Sequence, residues 1–304
     1  MIAFYIILGV LFVLICILCG FLLWGVNFSS KRGKSVDVIG DGPFSDIMRK
    51  GVAWVEAMPK SEVSIMSHDG LSLHGHLIEN DRTDVMFILF HGYRSSSFHD
   101  FSGAVKMYYE MGFSVLLPDQ RSHKKSEGKY ITYGVRERYD CRDWCRFVKE
   151  KYPDKRVIID GISMGAATVL MACGLELPDN VKGVIADSGY TSPYEIISKV
   201  ADDMKYPSRL VMPWLNLALT ALAGFNAKAC DAREAVKNTE LPILIVHGKA
   251  DGFVPYEMSV EIYEACKTHA RILLVENADH GLSFLVDNEG VTAVLKEFIK
   301  DVLA

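Results

Sequence analysis

The sequence predicts an α/β fold: a mostly parallel sheet flanked by helices on both faces, with a small helical insert and an N-terminal transmembrane helix. Three observations carry this. Short, continuously apolar runs recur from Val85 onward, namely "VMFILF", "FSVLLP", "RVIID", "VKGVIAD", "PILIVHG" and "RILLVE". Amphipathic stretches such as "FHDFSGAVKMYYEMG" and "GVRERYDCRDWCRFVKEKY" lie between most of them. Strands buried on both faces read as unbroken apolar runs, and crossover helices are what parallel neighbours require. The third observation is the amino terminus, where Ile2 to Val26 carries no charged side chain.

That first run exceeds the ~20 apolar residues needed to cross a bilayer as a helix. No Lys or Arg precedes it and no small-x-small cleavage pattern follows it, so a retained single-pass anchor at 2–26 is expected, with a cleaved signal as the rival. Lys31, Arg32 and Lys34 follow the span. By the positive-inside rule the catalytic domain is expected in the cytoplasm. Five of the seven cysteines (Cys141, Cys145, Cys173, Cys230, Cys266) lie outside the span with no CxxC pair and read as reduced, mostly buried thiols. Cys141 and Cys145 are one helical turn apart, but without companion ligands they do not read as a zinc site.

Residues 27–58 read as a juxtamembrane tether, "SSKRGKSVDVIGDGPFSD", followed by a helical stretch, "IMRKGVAWVEAM". The globular domain is expected over 59–304. It opens with "EVSIMSHDGLSLHGHLIE", two alternating runs around "HDG" that predict an antiparallel hairpin. Thr191 to Glu240 is too long for one crossover and contains "PSRLVMPWLNLALTALAGF", more apolar surface than one helix needs against a sheet. A helical lid at about 191–240, lying over the loop end and shaping an apolar pocket, is the expectation. A second membrane span is not, because the uncharged run is short and contains Pro213. The net charge of −5 and the absence of a long basic run give no electrostatic reason for a nucleic-acid partner.

The chemistry centres on "GISMGA". Gly161, Ser163 and Gly165 stand where a predicted strand ends and a helix begins. A serine there is a helix cap in one reading and, in G-x-S-x-G, an exposed nucleophile on a sharp turn in the other. A serine nucleophile needs a histidine base and a group to orient it. "LPILIVHGKADGFVP" places Asp251 in the loop after a buried strand, and "RILLVENADHGLSF" places His280 after the next. The order Ser, Asp, His is the one this architecture uses. His247 ends its strand before a glycine and is expected to pack beneath the site. Asp187 is a competing orienter, whereas Asp279 adjoins His280 too closely for that role.

From about Glu62 to the C-terminus the motifs "HGYRSS", "LPDQRSHKKSEG", "GISMGA", "HGKADGFVP" and "ADHG" resemble those of the α/β-hydrolase superfamily, most similarly serine hydrolases of the lysophospholipase and esterase type. The resemblance implies a catalytic triad of Ser163, Asp251 and His280. It implies an oxyanion hole from the backbone N–H groups of Met164 and Tyr93, and no metal or organic cofactor. His91 would support its loop, and Asp119 and Arg121 would brace the site. The implied reaction is hydrolysis of carboxylic esters of acyl lipids or small acylated molecules through an acyl-enzyme, with the membrane reached through the N-terminal helix. A thioesterase or peptidase with the same triad, or an inactive membrane-tethered binding protein, are the alternatives. Relatives commonly read D-x-R-G-H-G-x-S-x-G, whereas this chain has Ser122 and Lys124 at the two glycine positions, which leaves that loop's backbone shape open.

Overall fold

The computed structural model describes residues 1–33, 39, 41–266 and 269–304; Lys34, part of the basic group after the span, lies outside them. Helix α1 (Ile2–Ser30) is unbroken and is long and apolar enough to cross a membrane by length and composition. Its residues are exposed from Phe4 to Gly20, and burial begins at Phe21. It continues four residues beyond Val26 because nothing from Asn27 to Ser30 breaks a helix. Helix α2 (Ser45–Ala57) follows, with Val55 wholly buried and the Trp54 ring 5.7 Å from that of Tyr109.

Strands β1 (Ser61–Met66) and β2 (Ser72–Ile78) form the expected antiparallel hairpin. After β3 (Val85–Phe90) come α3 (Ser97–Asp100), α4 (Ala104–Glu110) and β4 (Ser114–Pro118). The single helix expected over 98–112 is thus divided. The break falls where α2 crosses: a Cβ on Gly51 would stand 2.0 Å from the Ser102 carbonyl oxygen, so the two backbones touch there. The alternation then runs α5 (Glu137–Lys151), β5 (Arg156–Ile162), α6 (Met164–Ala172) and β6 (Val181–Asp187).

Between β6 and β7 (Ile243–Gly248) lies the insert: α7 (Pro193–Asp203), α8 (Ser208–Ala218), a π-helical turn (Leu219–Ala223) and α9 (Ala232–Val236). The chain closes with α10 (Tyr256–Cys266), β8 (Ala270–Val275), α11 (Ser283–Val286) and α12 (Asn288–Leu303). The sheet order is β1-β2-β4-β3-β5-β6-β7-β8, parallel from β4 to β8. One apolar layer, with Trp144, Met164 and Leu170, covers one face; Phe87, Tyr108 and Phe298 belong to the layer on the other. Every residue of β3 and β4 is buried, as their unbroken apolar runs require.

A strand carboxylate interrupts that core. Asp160 on β5 is buried, and Tyr108 Oη donates to its Oδ2 at 2.8 Å. Burial pushes its pKa up from 3.8 to about 7, the nearby Asp187 adding to the rise and the Tyr108 hydrogen bond opposing it. The folded chain therefore holds this proton more tightly than the unfolded one. Its contribution to stability is complete below the unfolded value and is lost as pH rises through about 7. Asp160→Asn is expected to flatten this slope: between about pH 5 and about pH 8 the melting temperature should fall less in the variant than in wild type, read by calorimetry at each pH.

Candidate active site

β5 delivers Ser163 to the loop edge of the sheet, and α6 starts at the next residue. Ser163 has φ 57° and ψ −115°, a conformation that costs a non-glycine residue roughly 1–3 kcal/mol and persists only where its surroundings enforce it. The enforcement is visible. Ser163 N–H donates to Asp187 O at 2.8 Å, tying the turn to β6, and Ser163 O accepts from Ala167 N–H at 3.0 Å. The flanking glycines are there for want of space. A Cβ on Gly161 would lie 2.3 Å from the Gly165 carbonyl carbon, and one on Gly165 would lie 1.8 Å from Phe90 O.

The loops after β7 and β8 bring two more predicted residues to this turn. Ser163 Oγ stands 2.9 Å from His280 Nε2, and His280 Nδ1 stands 2.7 Å from Asp251 Oδ2. With Nδ1–H donating to the carboxylate, Nε2 is left to accept the serine proton. Asp251 is fully buried as a side chain. Burial alone would raise its pKa, but hydrogen bonds from His247 and His280 and the Val254 N–H outweigh it and hold the carboxyl well below the usual range. His247 does lie beneath the site: Nε2 donates to Asp251 Oδ2 at 3.1 Å and to Val254 O at 3.0 Å, while Nδ1 meets Ser259 Oγ at 2.7 Å. Asp251 Oδ1 takes the N–H groups of Phe253 and Val254 at 2.9 and 2.8 Å.

The competing acids are otherwise engaged. Asp187 accepts from Ser188 Oγ at 2.9 Å and Ser283 Oγ at 3.2 Å, and burial pushes its pKa up. Asp279 Oδ1 accepts the His280 backbone N–H at 2.8 Å.

The loop after β3 is held as a unit. His91, which burial keeps neutral, donates from Nδ1 to Gly92 O at 2.8 Å and accepts Gln120 N–H on Nε2 at 3.1 Å. Gly92 N–H donates to Asp100 Oδ2 at 2.7 Å, and Arg94 N–H to His123 Nε2 at 2.9 Å. Between them, the Tyr93 N–H donates no hydrogen bond among the described residues, and neither does Met164 N–H at the start of α6.

The departure at Ser122 and Lys124 proves conservative in shape. Both adopt the left-handed conformation that glycine favours, with φ 65° and 41°. Ser122 is fastened by its N–H to Glu127 O and its Oγ to Tyr130 O, both 2.8 Å. The Arg32 guanidinium donates to Ser126 O at 2.8 Å and to Lys124 O. Arg121 is buried and braces the loop's base through two 2.6 Å bonds to Asp140 and two, of 2.9 and 3.1 Å, to Asp69. Asp119 joins through its backbone oxygen, which accepts from Ser126 Oγ at 2.6 Å. Among the described residues the ligand atoms of His68, Asp140 and Asp143 lie within 4.8 Å of one another, but Asp140 already carries Arg121 and Asp143 already accepts His68 N–H. Cys141 and Cys145 are buried free thiols.

Ser163 stands between two cavities. One, about 250 Å³, is almost wholly apolar, with Trp24, Tyr133, Tyr190, Ile196 and Leu215 in its walls. The other, about 290 Å³, carries Ser95, His99, Asp100 and His280 beside Met48 and Leu282. Tyr93 and Phe253 border both, and the Phe253 ring meets the His280 ring edge-on at 5.1 Å. The contribution of α1 is the part that sequence reasoning missed. Its signal was present as Phe21, Trp24, Gly25 and Phe28, an i, i+3, i+4, i+7 stripe hidden in a run that is apolar on every side.

A family model described as alpha/beta hydrolase fold matches residues 85–211, and one described as TAP-like protein matches 223–302. The chain is 25% identical over 246 residues to the uncharacterized protein YqkD of Bacillus subtilis, covering 80% of each. It is 25% identical over 173 residues to the uncharacterized protein YfhR of Escherichia coli K12, covering 56% of this chain and 54% of that one. Among solved structures, an esterase of Pyrococcus furiosus superposes with a TM-score of 0.67 at 24% identity, over 89% of this chain and 98% of that one. The parallel sheet with its hairpin edge, the strained serine turn after β5 and the matched models together show that this chain has the α/β-hydrolase fold.

Proposed function

We propose that the chain is a membrane-anchored serine hydrolase that cleaves carboxylic esters of acyl lipids or small acylated molecules. One observation carries the reading: the continuous hydrogen-bonded series Ser163 Oγ, His280 Nε2, His280 Nδ1, Asp251 Oδ2, at 2.9 and 2.7 Å, whose serine end borders an almost wholly apolar cavity. A helix cap needs no such partners. The similarity to esterases of this fold supports the same reading.

In the proposed reaction Ser163 Oγ attacks the ester carbonyl carbon and its proton passes to His280 Nε2. The carbonyl oxygen becomes an oxyanion and accepts the unengaged N–H groups of Met164 and Tyr93, each donor contributing roughly 10²–10³ in rate. Collapse breaks the bond to the alcohol, which takes the proton from His280. Water then attacks the acyl-enzyme, giving its proton to His280, and the carboxylic acid leaves as Ser163 is reprotonated. Asp251, ionised and held by four donors, keeps the imidazole in the required tautomer. The acyl chain occupies the almost wholly apolar cavity and the alcohol the one that carries Ser95, His99 and Asp100. The insert at about 191–240 acts as the lid over the first.

In this reading residues 2–26 are the anchor and 59–304 the hydrolase domain, facing the cytoplasm on the side of Lys31 and Arg32. A fluorophosphonate probe should label wild type at Ser163, located by mass spectrometry of the modified peptide. A folded wild type left unlabelled would refute the reading. Asp251→Asn should lower kcat by about 10⁴-fold with the fold intact, because the imidazole then rests in the wrong tautomer.

A further inference from the structure

The last turns of α1 are fastened to the catalytic face. Tyr93 Oη donates to Ser29 O at 2.7 Å, Tyr133 Oη donates to the same oxygen, and Arg94 Nη2 donates to Phe28 O at 2.9 Å. These are carbonyls that a helix end leaves without intrahelical donors. Val26 and Ser30 are buried, and a Cβ on Gly25 would stand 3.1 Å from Leu215 Cδ1 of α8. The stripe Phe21, Trp24, Gly25, Phe28 is a wall of the apolar cavity that also contains Ser163.

The cavity extends along α1 toward the membrane. From Ser29, held by Tyr93 of the loop after β3, to Phe21 is about 12 Å of helix. At the Phe21 end the ring of Tyr206 lies 5.5 Å from Phe21 and 6.1 Å from Trp24, and Met204 and Tyr206 are partly exposed. The exposed stretch 4–20 is about 26 Å long, close to the ~30 Å hydrocarbon thickness of a bilayer. The outer end of the cavity therefore coincides with the level at which α1 leaves lipid, where Trp and Tyr concentrate in membrane proteins. On the adjoining insert Leu210, Trp214 and Leu217 of α8 expose 68, 54 and 61% of their surface, apolar groups a soluble face has no reason to present.

We propose that α1 is a wall of the acyl-binding cavity as well as an anchor, and that the acyl chain of a bilayer-resident lipid ester enters between α1 and α7–α8 directly from the lipid phase. The fate of the chain at Ser163 rests on the proposed ester hydrolysis; its binding does not. That separation sets the test.

Full-length protein in phosphatidylcholine vesicles containing a phosphatidylcholine with a diazirine at its acyl terminus is irradiated, and adducts are mapped by mass spectrometry. Adducts on Ile197 or Val200 of α7, inside the cavity, are expected in wild type. They should be lost in Gly25→Phe, which fills the cavity from α1, and in Ala201→Trp, which fills it from α7, with folding checked by melting temperature. Ala201→Trp also keeps the test decisive if Gly25→Phe fails to fold. Adducts confined to residues 4–20 overturn the proposal, as do α7 adducts that persist in a folded Gly25→Phe or in Ala201→Trp. Cavity adducts without fluorophosphonate labelling of Ser163 would sink ester hydrolysis and leave this assignment standing. Labelling without cavity adducts would do the reverse.

Discussion

Ser163→Ala is expected to lower kcat by about 10⁶-fold, the largest catalytic effect available in this chain, while the protein stays folded. The substitution removes only Oγ and with it the 2.9 Å contact to His280. It keeps a Cβ, so the turn stays strained and the cavity walls do not move. What activity persists would come from binding and the oxyanion donors, which alone give about 10³–10⁴ over water in enzymes with this constellation. The loss should exceed that of Asp251→Asn, since an imidazole in the wrong tautomer can still be reached by a serine, whereas no other group replaces Oγ. Ester turnover and calorimetry on the same sample test both halves. A variant retaining more than a few per cent of wild-type activity would mean that the nucleophile lies elsewhere. Ser163→Gly, which relieves the φ 57° strain, should melt above Ser163→Ala while being equally inactive.

The largest effect on folding is expected at Gly165→Ala. Its Cβ would be built 1.8 Å from Phe90 O and 2.9 Å from His91 O, backbone atoms at the end of β3 and the start of the loop that follows it. No rotamer change makes room, so α6 must lift off β3 or the turn must open. A cost above about 4 kcal/mol follows, a large share of the 5–15 kcal/mol that holds a typical domain together. Urea unfolding measures it. Gly252→Ala is the matched control: a Cβ there meets nothing within 4 Å, and a change within about 0.5 kcal/mol is expected. Equal stability of the two variants would mean that β3 and α6 are less closely packed than these distances require.

The sheet was readable because strands buried on both faces write their position into sequence as unbroken apolar runs. The site was readable for a related reason. Ser163, Asp251 and His280 each follow such a run, and parallel strands bring their carboxyl ends to one edge of the sheet. Features that depend on what another segment does were not readable. The break between α3 and α4 exists because Gly51 of a distant helix presses on Ser102. Ser122 and Lys124 keep a glycine-like conformation because Arg32 of a distant segment holds the Lys124 carbonyl while Glu127 and Tyr130, farther along the same stretch, fasten Ser122. The cavity-facing stripe of α1 was masked by its own composition, since a segment apolar all round gives no contrast between the face that meets protein and the faces that meet lipid.

Ser163 divides an apolar chamber that runs along α1 from a second one in which Ser95, His99 and Asp100 stand beside Met48 and Leu282. In the proposed reaction a membrane ester cleaved there leaves its two halves in separate compartments: a fatty acid against the helix that leads back to lipid, an alcohol beside hydroxyls and imidazole. Each half then partitions away along its own solubility gradient. Recombination on the enzyme would require both to return at once, so in the proposed hydrolysis this geometry of release slows the back reaction while the equilibrium stays that of the bond.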